Sequence, residues 1–141
     1  STSRRAHEMT HESLQEIVCC MGQPVAGNPS QFMMERAFAA AGLDWRYLTL
    51  EVSAEDLPAA VAGMKAMGFR GGNFTIPHKV AVIGHLKRLT EAAGLMGAVN
   101  CIFAEDGSFV GENTDGKGFV SALKEVMDPE GKKVVLFGVL L

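Results

Sequence analysis

A chain of 141 residues, 48% hydrophobic and 21% charged, is long enough to bury one core and has the composition of a globular domain. Its net charge of −3 gives no electrostatic reason to expect nucleic acid or an anionic membrane surface as a partner. No apolar run reaches the roughly 20 residues of a membrane-spanning helix and no secretory h-region follows the N-terminus, while Cys19, Cys20 and Cys101 lack paired zinc spacing and read as reduced core thiols of a cytoplasmic protein.

Residues 1–15 are polar and without apolar period. His7 and His11 are spaced as a helical metal pair but have no third ligand, so the expectation is a flexible tail and no metal site. The first buried strand is expected at Glu16–Met21, closed by Gly22. A loop punctuated by Gly22, Pro24, Gly27 and Pro29 leads to Ser30 as the N-cap of a helix with Phe32, Met33, Ala37, Phe38 and Ala41 at helical spacing and Gly42 as its stop. Trp45–Val52 is a second strand. Ser53 is expected to cap a helix to Met67, with Glu55 and Asp56 complementing the dipole in its first turn.

Gly71–Ile76 reads as a short strand running into Pro77, which suits a first helical position and places Lys79 in the opening turn of a helix ending near Leu86 or Leu89. A brief helix follows over Thr90–Met96. Ala98–Ala104 and Ser108–Gly111 form a strand pair about the turn Glu105-Asp106-Gly107. Thr114 caps a last helix to Met127, with Asp115 in its first turn. Asp128–Gly131 is a linker and Lys132–Phe137 a final strand. Strands alternating with helices predict an α/β fold, an open, mostly parallel twisted sheet flanked by helices.

The loops Gly27–Ser30, Asn73–Lys79 and Glu112–Gly116 follow strands and open helices, so they converge at the carboxyl edge of such a sheet, where ligands bind. Ser, Thr and Asn with one Lys and one Asp suit a polyhydroxylated ligand, because each hydroxyl donates and accepts and an amide offers both functions. Singly, each has a plainer role: a solvated lysine, a helix-terminal Asp facing the dipole, amides serving loop backbone. His78 reads as a packing or solvent-facing residue.

Taken together, Gly22-Gln23-Pro24-Val25-Ala26, Asn73-Phe74-Thr75-Ile76-Pro77-His78-Lys79, Gly97-Ala98-Val99-Asn100 before Cys101, and Gly111-Glu112-Asn113-Thr114-Asp115-Gly116 resemble, in order, the motifs of the shikimate dehydrogenase family with its quinate branch. The resemblance covers roughly Glu16 to Phe137. It implies a substrate-binding and catalytic domain over 16–127, with 128–141 a linker and the truncated first strand of a Rossmann cofactor domain. It implies that Lys79 is the catalytic acid or base with Asp115 beside it, and that Asn73, Thr75 and Asn100 hold ring hydroxyls of a shikimate- or quinate-class carboxylate. Ser30 matches the second of two serines on the substrate carboxylate. The first is replaced by Asn28, a histidine of the pattern by Met34, and an aspartate by Lys87, departures that bear on the substrate more than on the reaction.

The implied reaction is NAD(P)-dependent interconversion of 3-dehydroshikimate and shikimate, in which the lysine moves the hydroxyl proton and the cofactor takes the hydride. NADP or NAD belongs to the full-length enzyme. The sequence ends Gly138-Val139-Leu140-Leu141 where the resemblance leads one to expect a Gly-rich pyrophosphate turn, so no cofactor-binding residue is expected in this chain and no turnover by it alone. Apolar surface around 134–141 and along the last helix favours a homodimer or a disordered end. An aminoshikimate-type dehydrogenase, a non-catalytic shikimate-binding regulatory domain and a ligand-free flavodoxin-like module are the alternatives.

Overall fold

The structure, a computed structural model, describes residues 14–135 together with Phe137 and Gly138. The expectations for residues 1–13, including His7 and His11, and for Val139–Leu141 lie outside the described residues.

Glu16–Gly22 forms β1, Ser30–Ala40 α1, Trp45–Glu51 β2, Leu57–Ala66 α2 and Gly71–Phe74 β3. A single turn, α3 (His78–Ala81), tightens into a 3-10 turn over Val82–His85, followed by β4 (Arg88–Leu89) and α4 (Glu91–Met96). The chain then runs through β5 (Cys101–Glu105), β6 (Ser108–Glu112) and α5 (Asp115–Val126). The strands make a six-stranded sheet in the order β2-β1-β3-β5-β6-β4. β1 runs parallel to both β2 and β3, and β4 parallel to β6, whereas β5 is antiparallel to β3 and β6.

β1 sits between two strands with both faces covered, so its apolar run is continuous rather than alternating. Side chains still alternate in direction. Cys19 and Met21 enter the larger core with Leu57, Val61 and Met64 of α2, Phe74, Val82, Ala93, Val99, Ile102 and Phe109. Cys20 points the other way, to Val25, Phe38 of α1 and Tyr47, with Trp45 and Met34 alongside. Burying each large apolar side chain contributes about 1.5–3 kcal/mol, and the two clusters clamp the sheet from opposite sides.

Several boundaries differ from expectation. Ser30 is the first residue of α1, not its cap: the side chain next to this helix start is that of Asn28, whose Oδ1 accepts the Ser30 N–H at 2.9 Å. Ser53 does not open α2. Its hydroxyl accepts the Asp56 N–H and donates to Asp56 Oδ2, closing a separate turn, and the helix starts at Leu57, ahead of Pro58 in its first turn.

The helix after Lys79 does not run on to Leu86 or Leu89. Leu86 is extended, and the Lys87 and Thr90 N–H groups donate to the carbonyls of Phe109 and Gly111, drawing Arg88–Leu89 alongside β6. Space for this comes from Gly111, where a methyl group would come within 2.8 Å of Leu89 Cδ2 and Val99 Cγ2. Thr114 makes no side-chain cap bond to α5. Asn113 does, its Oδ1 accepting the Asp115 N–H at 2.9 Å.

The expected strand at Lys132–Phe137 is absent: the described residues there pair with no strand, and Val134 and Val135 are 66% and 75% exposed. Adjacent valines in an apolar run supply strand propensity, but a strand forms only against a free ladder edge.

Candidate functional site

The carboxyl ends of β1 and β3, the β6–α5 corner and the start of α1 meet at one cavity of about 250 Å³. Asn28, Ser30, Asn73, Thr75, Lys79, Asn100 and Asp115 all line it, joined by Cys20, Met33, Met34 and Phe74.

The Thr75–Lys79 segment is held from several sides. The Thr75 N–H donates to the Met21 carbonyl, the Gln23 N–H to that of Ile76, and the His78 N–H to that of Thr75. His78 is fully buried, and its Nε2 lies 2.7 Å from the carbonyl oxygen of Val52, so it packs the Lys79 turn against the β2–α2 loop. The Lys79 carbonyl accepts the Val99 N–H at 2.7 Å. Gly22 permits the closeness of β1 to this segment, because a Cβ there would collide with Thr75 Cγ2.

With the backbone so fixed, Lys79 Nζ lies 2.7 Å from Asp115 Oδ2, although the two are far apart along the chain. The lysine side chain is 19% exposed and the aspartate 49%. Asn100 braces the carboxylate from the other side, its Nδ2 lying 2.8 Å from both Asp115 Oδ1 and Thr114 Oγ1 while its Oδ1 accepts the Thr114 N–H. Asn113 is 1% exposed. It ties the first N–H of α5 to the Ala98 carbonyl, to which its Nδ2 donates at 2.9 Å. Behind it the Glu112 carboxylate is held below its usual range, chiefly by the Asn113 N–H at 2.8 Å and then by the Thr90 hydroxyl and Lys117, against the opposing effect of burial.

Opposite the ion pair, Asn28 spends its Oδ1 on the Ser30 N–H and keeps its amide hydrogens for the cavity. Asn73 Oδ1 accepts the hydroxyl of Tyr47 at 2.9 Å and its Nδ2 donates to the Asn100 carbonyl. The lining therefore carries one cation paired with one anion, neutral amides and hydroxyls, and the uncharged side chains of Cys20, Met33, Met34 and Phe74. An amine against a carboxylate in such a wall can take or give the proton of a ligand hydroxyl and hold the neighbouring hydroxyls in register. No group of three or more His, Cys, Asp or Glu among the described residues is placed to hold a metal ion.

Sequence reading did not single out Asn113 or Tyr47. Asn113 stands within the Glu112–Asp115 motif, and Tyr47 alternates with Trp45 onto the α1 face of β2, which is the signal each left in the sequence.

Residues 20–102 match the shikimate dehydrogenase substrate-binding domain. The NADP(+)-dependent shikimate dehydrogenase of Moorella thermoacetica is 46% identical over 123 residues, covering 86% of this chain and 42% of that protein. Among solved structures, the ligand-free 5-ketofructose reductase of Gluconobacter sp. strain CHM43 superposes with a TM-score of 0.81 at 44% identity, over 86% of this chain and 44% of that one. Shikimate 5-dehydrogenase from Listeria monocytogenes, in complex with shikimate and NAD, gives a TM-score of 0.76 at 37% identity, over 89% of this chain and 41% of that one. The chain thus spans less than half the length of these relatives.

Proposed function

Because this chain belongs to the shikimate dehydrogenase family, we propose that its cavity binds shikimate or a closely related cyclic polyhydroxy acid, and that in the complete protein it carries the proton-transfer half of an NADP-dependent alcohol oxidation. The observation that supports this most directly is the Lys79–Asp115 pair at 2.7 Å in the wall of a cavity whose other polar groups are amides and hydroxyls.

In this reading Lys79 takes the proton of the ligand hydroxyl on oxidation and returns it on reduction, and Asp115 orients the amine. Asn73, Thr75 and Asn100 hold ring hydroxyls, while Asn28 and Ser30 donate to the opposite end. The nicotinamide dinucleotide, when bound, supplies the hydride acceptor. No Gly-x-Gly-x-x-Gly run occurs in the sequence, so the residues of this chain are assigned the proton and the ligand only. Unpaired Cys19, Cys20 and Cys101 fit a reducing compartment such as the cytoplasm.

Titrating shikimate into the chain by calorimetry tests the binding: saturable heat is expected, and its absence refutes it. Lys79→Met should leave that binding within about tenfold while lowering turnover of the complete dehydrogenase about 10²–10⁴-fold. Unchanged turnover would reduce the site to a binder.

A second reading concerns the ligand. Asn28 stands where the family resemblance leads one to expect a serine, and one relative of 44% identity is named a 5-ketofructose reductase. These features favour a neutral polyhydroxy ketone, and competition between shikimate and 5-ketofructose for the same site distinguishes the two.

A further inference from the structure

Tyr47 lies on β2, outside every motif of the family resemblance, and does not line the 250 Å³ cavity. It is 1% exposed and belongs to the smaller core cluster with Cys20, Val25 and Phe38. Its hydroxyl lies between β1 and α1, against Cys20 and Ser30, and donates to Asn73 Oδ1 at 2.9 Å.

The direction of this bond follows from the far side of the same amide. Asn73 faces the carbonyl of Asn100, which can only accept, so the nitrogen must point to Asn100 and the oxygen to Tyr47. Burial raises the Tyr47 pKa far above its ordinary value of 10.0, which keeps the hydroxyl protonated and donating.

With its oxygen taken by Tyr47 and one hydrogen by Asn100, Asn73 has one amide hydrogen without a protein acceptor among the described residues, and it lines the cavity. We propose that Tyr47 is a positioning and specificity-determining residue that, with the Asn100 carbonyl, holds the Asn73 amide in one orientation, so that its remaining N–H favours a bound hydroxyl that accepts there and sends its own hydrogen elsewhere. Thr75 and Asp115, which line the same cavity, carry acceptors for it. Asn73 would then reject a ligand group that can only donate at that point and favour a hydroxyl or carbonyl oxygen. This rests on the proposed binding of a polyhydroxylated ligand, but the preset amide is a property of the unliganded protein.

Tyr47→Phe keeps the ring and removes only the donor. In the free chain, relaxation of the Asn73 side-chain amide by NMR should show a rigid group in the wild type and a mobile one in Tyr47→Phe, with the core intact by near-ultraviolet circular dichroism. Shikimate, or 5-ketofructose if the second reading holds, should bind Tyr47→Phe about tenfold more weakly. Combining it with Asn73→Ala should add no further loss, because the tyrosine acts through that amide. An equally rigid Asn73 in Tyr47→Phe, unchanged affinity, or losses that simply add would each overturn the proposal. If neither ligand binds the wild type, the functional reading fails while the relaxation measurement still decides this one.

Discussion

Asn113→Ala is the substitution whose consequences the structure specifies most fully. Two bonds leave with the side chain: the one that caps α5 at the Asp115 N–H, and the one that satisfies the Ala98 carbonyl, in a residue 2% exposed. Removing an N-terminal cap costs about 0.5–2 kcal/mol. Leaving a buried carbonyl without a donor costs about 1–3 kcal/mol, so the combined destabilisation is about 1.5–5 kcal/mol. With an m-value of about 1–3 kcal/mol/M in urea, the unfolding midpoint should fall by about 1–2 M in equilibrium denaturation followed by circular dichroism. Ligand binding should weaken as well, because the same bonds set where Asp115 meets Lys79 and Asn100. A midpoint shift worth less than about 0.5 kcal/mol would show that water or a repacked loop replaces both bonds, and would refute the claim that Asn113 holds the corner.

The Glu112 carboxylate is held below its usual value of 4.5 in the folded state, so its stabilising contribution is present above that value and lost as pH falls through the lower folded value. Glu112→Gln should therefore flatten part of the acid limb of a stability–pH curve, and an unchanged limb would count against it. Gly22→Ala should overpack the contact with Thr75 Cγ2, costing about 1–3 kcal/mol by thermal unfolding. A fully tolerated alanine would mean the two segments part easily. Burial pushes the Cys19 thiol up to about 12 and also raises Cys20 and Cys101. The folded protein should therefore resist iodoacetamide at neutral pH under conditions that label the urea-unfolded chain fully, as read by mass spectrometry.

Most strands and most cavity residues were legible in the sequence because each signal was local, apolar runs ended by Gly or Pro and polar residues at strand-to-helix corners, whereas Asn100, between α4 and β5, was reached only through the motif resemblance. The short strand Arg88–Leu89 was not legible, since it exists only because Lys87 and Thr90 find carbonyls on β6, and nothing in Leu86-Lys87-Arg88-Leu89 itself announces that ladder. The caps failed for a related reason. Asn28 and Asn113 reach the first turns of α1 and α5 from just outside them, whereas the nearer Ser30 and Thr114 fit the local rule equally well. The strand expected at Lys132–Phe137 had a β-branched, apolar run behind two lysines, but such a run says nothing about whether a partner edge is at hand. Lys79 and Asp115 could be paired from the motifs alone, yet the bracing by Asn100 depends on how β5 and β6 place their ends, which is a long-range fact.

Cys19 and Cys20 are neighbours on β1, one sealed in the main core and the other on the cavity floor. A rung of the ladder that is at once foundation and furnishing leaves little freedom to retune either alone: shifting the strand to suit a new ligand would drag the interior with it. Novelty in ligand choice is thereby steered toward the loop leading into α1 and the start of that helix, where Asn28 and Ser30 sit outside the strands. It is there that this chain departs from the serine pair of its family resemblance.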